Sequence, residues 1–143
     1  MIKQIQMQLS RFSSKYSLLL LRYSLGAIFF WFGALKLLGI SPIEELVSQT
    51  TDWMHIRDFP EILGVWEMCI GICFLNKKWY WYAFVLFMIQ IPGTFLPLLL
   101  HPSECFTVFP YGLTLEGQYI FKNLILISAV FSIMTPVNTK KIV

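Results

Sequence analysis

Residues 16–38 read YSLLLLRYSLGAIFFWFGALKLL, and the only charges in this stretch are Arg22 and Lys36. A helix needs roughly 17–25 apolar residues to cross the hydrocarbon core of a bilayer. This run is long enough. Two others are comparable: residues 79–100 (WYWYAFVLFMIQIPGTFLPLLL) and residues 118–135, which open QYIFKNLILISAVFSIM. A shorter block, residues 60–75 (PEILGVWEMCIGICFL), carries Glu67 inside it. None shows the short alternation of a membrane β-barrel. In lipid, only helices and closed barrels satisfy every backbone polar group. The expected fold is therefore an all-α membrane protein. It is a bundle of four transmembrane helices in one domain over 1–143, with helices at about 16–38, 60–75, 79–100 and 118–135 and an outer loop at 39–59.

Composition agrees. The chain is 57% hydrophobic and 13% charged, against about 25% charged for a typical soluble domain. A soluble protein of this size cannot cover that much apolar surface. The net charge of +3 does not imply nucleic acid, because the basic residues are scattered and form no basic face. Lys3, Arg11 and Lys15 precede the first apolar run, as in a secretory signal. That run is too long, contains Arg22 and Lys36, and ends without a small-residue cleavage site, so it is expected to remain as the first helix.

Loop charges give an orientation. The N-terminal arm (Lys3, Arg11, Lys15), the turn at Lys77 and Lys78, and the tail at Lys140 and Lys141 hold seven of the eleven basic residues and no acid. The long loop at 39–59 and the start of the next block hold Glu44, Glu45, Asp52, Asp58 and Glu61 against Arg57 alone. The positive-inside rule then places both termini and the Asn76–Lys78 turn in the cytoplasm, in the cytoplasmic (inner) membrane. Trp79 to Tyr82 form an aromatic belt beside that turn. Pro42, followed by Ile43, Leu46 and Val47, predicts a short helix lying on the outer surface. Pro92 and Pro97 would kink the third block, free carbonyls and open space in the bundle.

Ionisable residues inside these blocks are costly, at least about 2.5–3.5 kcal/mol each at a helix centre, and normally face the bundle interior. At about 100° per residue, Arg22, Gly26, Phe29, Gly33 and Lys36 share one stripe. Gly64, Glu67 and Gly71 share a face, as do Gln118, Lys122, Ala129 and Ser132. Small residues beside charges are what close helix contacts in lipid use. Each charge is thus expected to point into a helix seam. By depth, Lys36, Glu67 and Lys122 fall in the outer half with Glu116 and His101 near the same surface, and Arg22 sits alone toward the inner half. An outward-opening polar cluster of Lys36, Glu67, Lys122, Glu116 and Arg22 is the candidate ligand site. A structural salt-bridge network and a conduction path are its rivals.

The remaining candidates are bland. Cys69 and Cys73 lie on one helix face opposite Glu67 and read as packing residues. Cys105 is a lone thiol in an outer loop, free or intermolecular. His55 and His101 lack metal-ligand spacing and read as interfacial polar residues. No phosphate loop, nucleophile elbow or catalytic carboxylate pair is present.

The same stripes carry a resemblance. Arg22-x3-Gly26, Phe32-Gly33-x2-Lys36, Gly64-x2-Glu67-x3-Gly71 and Glu116-Gly117-Gln118-Tyr119-x2-Lys122-Asn123-Leu124, in that order across residues 16–135, resemble the DoxX-like family of small four-helix membrane proteins. The long outer loop and the Glu-Gly-Gln-Tyr segment look most like its branch linked to reactive chlorine resistance. Many relatives carry Lys-Asp where this chain has Lys122-Asn123, which removes a carboxylate. The resemblance implies a membrane subunit of a redox or oxidative-stress system, as in thiosulfate:quinone oxidation, or a chaperone-like role. The expected ligand is a quinone head-group or a small anion, with lysines stabilising negative charge and Glu67 orienting them or accepting a proton. No tightly bound metal or haem is expected. Expected partners are the lipid bilayer, a soluble or membrane redox partner, and a second copy of the chain. The rival of another class is a non-enzymatic scaffold or assembly factor; a small transporter ranks third, because four helices enclose little lumen.

Overall fold

The computed structural model describes residues 2–52, 55, 56 and 58–134. Arg57, the Lys140–Lys141 tail and the expected last-helix end at 135 lie outside the described residues. Seven helices and one small hairpin are assigned among the rest. They are α1 (Ile2–Leu37), α2 (Glu44–Thr51), α3 (Phe59–Leu75), α4 (Tyr80–Leu100), α5 (Pro102–Cys105), β1 (Phe106–Val108), β2 (Gly112–Leu113), α6 (Leu115–Phe121) and α7 (Asn123–Met134). A short 3-10 turn, Lys77–Trp79, joins α3 to α4, and the Asn76 side chain accepts the Lys78 backbone N–H at 3.0 Å.

α1, α3, α4 and α7 pack in a ring, each against two of the others. Leu25 and Phe29 of α1, Ile70 and Phe74 of α3, Ala83 and Phe87 of α4 and Val130 of α7 fill its centre. Phe29 meets Phe87 edge-on at 5.7 Å between ring centroids, the arrangement aromatic quadrupoles favour. The outward faces are also apolar: Trp31 is 64% exposed, Ile89 62% and Ile125 71%. Three helical stretches are long and apolar enough to cross a membrane, namely Lys3–Leu37, Lys77–Leu100 and Leu115–Met134. α3, at 17 residues, is shorter than α1 and α4.

The block boundaries hold within a few residues on the C-terminal side of each helix. Four features differ. α1 begins at Ile2, well before 16, because Gln and Ser break an apolar count without breaking a helix. The expected short helix is present as α2, but Pro42 lies in a turn two residues before it, and Leu46 and Thr50 pack it against the ring while Glu45, Ser48 and Gln49 are exposed. The last helix is interrupted at Lys122, the C-cap of α6. Residues 101–114, expected as plain loop, fold into α5 and an antiparallel hairpin pairing Phe106 with Leu113.

α2, α5 and α6 form a second, smaller core around Leu46, Cys105 and Ile120. Cys105 has no exposed surface, so it is a free thiol shielded from intermolecular pairing. Burial pushes its thiol up from the ordinary value of 9.0, and the Glu104 and Glu116 carboxylates push it further. A water-soluble maleimide at pH 7 is expected to leave Cys105 unmodified in the folded protein and to modify it fully in SDS. Peptide mass spectrometry reads the difference, and rapid modification of the folded protein would contradict the packed cap. Cys73 packs against the main core as expected, whereas Cys69 is exposed.

Candidate functional site

The site begins with the seam between α1 and α3. Gly26 and Gly33 on α1 face Gly71 and Gly64 on α3, close enough that a Cβ on Gly64 would fall 2.8 Å from the Gly33 carbonyl oxygen. Without Cβ atoms between them, the two backbones approach until Lys36 and Glu67 meet. The Lys36 Nζ donates to Glu67 Oε2 at 2.5 Å, with side-chain exposures of 3% and 10%. Among the described residues this is the one ion pair.

Glu67 is held from a second side. Gln90, on α4, donates its Nε2 to Glu67 Oε1 at 2.8 Å. The amide's other end, Oε1, is buried with no hydrogen-bond partner. Lysine, carboxylate and amide thus form a chain across three helices, terminated by an acceptor with nothing to accept. A buried unsatisfied acceptor costs about 1–3 kcal/mol.

That chain lies against a cavity of about 690 Å³. Its walls are mostly apolar, with Phe29, Trp66 and Phe87 among them, and α2 closes it with Leu46 and Thr50. The space follows from α4. Pro92 and Pro97 sit inside the helix, and a Cβ at Gly93 would meet no atom within 4 Å. Thr94 Oγ1 donates to the carbonyls of Gln90 (3.3 Å) and Ile91 (2.8 Å). Of the two prolines, Pro97 lines the cavity, and α4 runs as one helix through both.

The other sequence candidates separate. Lys122 lines the same cavity but is exposed and joins no ion pair; its ammonium lies over the Tyr119 ring, 5.0 Å from the centroid. The expectation that it points into a seam is corrected. Of the same predicted face, Gln118 and Ser132 are exposed too, and Ala129 is buried. Glu116 lies in the first turn of α6, outside the cavity lining. Arg22 is alone toward the opposite end, as read. Its Nη1 donates to the Tyr80 hydroxyl, and its guanidinium lies over the Tyr23 and Tyr80 rings at 4.6 and 5.1 Å. Aromatic faces are what hold this buried cation. Gln90 was missed in sequence. Its signal was a lone amide in an apolar run, two residues before Pro92.

Among the described residues no group of three His, Cys, Asp or Glu side chains is placed to hold a metal ion. What the arrangement offers is a polar wall in an apolar chamber, suited to a ligand with one polar end. Compared with protein-family models, curated proteins and solved structures, the chain matches none.

Proposed function

We propose that this is a four-pass protein of the cytoplasmic membrane with both ends inside, acting as the membrane subunit of a redox or oxidative-stress system and binding a quinone head-group in the cavity beside Glu67. One observation carries the reading: a mostly apolar chamber bounded by a Lys36–Glu67–Gln90 chain whose ion pair is buried. A quinone is apolar apart from its two ring oxygens. Its reduced form has hydroxyl donors that match the Glu67 carboxylate in the cavity wall. A small anion fits less well, because Lys36 is already neutralised by Glu67 and the walls would not solvate it. Lys122, the unpaired cation at the same cavity, would stabilise charge on the ring oxygens. Oxidation of the quinol releases two protons and two electrons. Glu67 would take one proton and bulk water the other, and a redox partner protein would take both electrons.

The four-pass reading draws on three long apolar spans, the ring packing of α3 with them, and the basic arm and turn at one end. The order of the glycine and charge motifs, which resembles the DoxX-like pattern, supports it as well. Trp66 lines the cavity and reports occupancy. Titrating a short-chain benzoquinone or naphthoquinone into the reconstituted protein is expected to quench tryptophan fluorescence saturably. Gln90→Leu is expected to weaken binding about tenfold, the equivalent of one lost hydrogen bond at roughly 1.5 kcal/mol. No saturable quenching by either quinone between pH 6 and 8 would overturn the reading. A scaffold role is the second reading, favoured by the hairpin tip, where Phe109 and Tyr111 stand 72% and 80% exposed. Co-purification with one stoichiometric partner, unaffected by Gln90→Leu, would support it instead.

A further inference from the structure

α1 is 36 residues long, about 54 Å at 1.5 Å per residue, while the hydrocarbon core of a bilayer is about 30 Å thick. The surplus lies at its N-terminal end. Every residue from Lys3 to Lys15 is exposed, and the helix enters the bundle only near Leu21 and Arg22. This clear segment is two-sided. Ile5, Leu9 and Phe12, exposed by 50%, 62% and 58%, recur at spacings of four and three and fall within an arc of about 60°. The arc continues up the same helix through Leu20, Tyr23 and Phe30, the exposed apolar face of the bundle. The face that packs inward higher up, at Arg22, Gly26 and Gly33, is occupied lower down by Gln8, Arg11 and Lys15. No acid occurs before Glu44.

We infer that residues 3–15 form an interfacial helix docked on an anionic bilayer surface. Ile5, Leu9 and Phe12 sink to the acyl boundary, and Lys3, Arg11 and Lys15 meet lipid phosphates. Two observations select lipid over a second copy of the helix. The stripe is continuous with the bundle's outward apolar face, and three like charges would repel across a paired helix. α1 runs unbroken through this segment in the structure, and docking on the surface would turn its axis at Ser13 and Ser14. The Ser14 Oγ donates to the Arg11 carbonyl at 3.1 Å, a local bond that bends helices. The inference rests on the spanning arrangement proposed above.

The test uses the full chain in nanodiscs of zwitterionic lipid alone or with about a third anionic lipid. Spin labels are placed singly by Ile5→Cys, Gln8→Cys, Leu9→Cys, Arg11→Cys and Phe12→Cys, with Ile28→Cys as a mid-span reference, in a background lacking the native cysteines. With anionic lipid, labels at 5, 9 and 12 are expected to become oxygen-accessible and shielded from an aqueous nickel chelate, while labels at 8 and 11 stay aqueous. On the unaltered sequence, amide exchange over 3–15 is expected to slow about tenfold or more on adding anionic lipid. High salt, or Lys3→Glu with Arg11→Glu and Lys15→Glu, should abolish both effects. A stripe that stays aqueous while position 28 is in lipid overturns this inference alone. An aqueous position 28 overturns the spanning arrangement and the inference with it. Dipolar broadening between copies at 5, 9 and 12 assigns the stripe to self-association and also overturns it.

Discussion

Lys36→Met is expected to lower stability by about 3–5 kcal/mol, and adding Glu67→Met is expected to recover most of that loss. The asymmetry follows from burial. Lys36 is 3% exposed and Glu67 7%, so deleting the lysine leaves a carboxylate with one amide partner and no counter-charge. The double variant removes both charges and places two flexible apolar side chains in a seam that suits them. In a low-dielectric site, such a replacement is often neutral or stabilising. Titrating the purified protein with SDS, followed by circular dichroism, measures both steps. The double variant also separates structure from function. It should fold and fail to bind quinone, because the carboxylate in the cavity wall is gone. A double variant as unstable as Lys36→Met would mean that the charges interact with partners other than each other. One that binds quinone normally would reduce the pair to a register device.

The pair was legible because its signal is periodic and local. Arg22, Gly26, Phe29, Gly33 and Lys36 fall on one stripe of an unbroken helix, and all are buried. Gly64, Glu67 and Gly71 do the same on α3. Rise per residue also placed Lys36 and Glu67 at matching depth. The same arithmetic failed for Lys122, because depth along an axis says nothing of rotation about it once the helix is interrupted. It passed over Gln90 because an uncharged amide in an apolar run looks inexpensive. The roof of the site was out of reach for a different reason. Its contacts join Leu46 to Cys105 and Ile120, residues far apart in sequence, and such pairings leave no local pattern. The N-terminal half of α1 was hidden by its composition, since a hydropathy count registers Gln and Ser as interruptions whether or not the helix continues.

Alanine substitutions at the four seam and cavity positions are expected to order by what each new Cβ meets. At Gly71 it would fall 2.6 Å from the Phe30 nitrogen and 2.7 Å from the Gly26 carbonyl oxygen. At Gly33 it would run into the Gly64 carbonyl oxygen and lie 2.8 Å from the Met68 nitrogen. These are backbone atoms, which no rotamer change can withdraw, so α1 and α3 must move apart. Overpacking of this kind costs about 1–3 kcal/mol, and between helices in lipid the lost contact is the main attraction. At Gly26 the nearest atom is the Leu75 Cδ2 at 2.7 Å, the end of a flexible side chain, and the nearest backbone atom, the Gly71 carbonyl oxygen, is 3.1 Å away, so Gly26→Ala should cost less. At Gly93, which is exposed, a Cβ meets no atom within 4 Å, and alanine should be neutral or gain up to about 1 kcal/mol from helix propensity. The order carries a functional consequence. Gly33 and Gly64 hold the backbones together one turn from Lys36 and Glu67, so Gly33→Ala should lengthen the ion pair and weaken quinone binding along with stability. Gly93→Ala should alter binding only through the space it takes from the cavity. Equal losses at all four positions would show that helix seam and chamber are not the separate structures that the site requires.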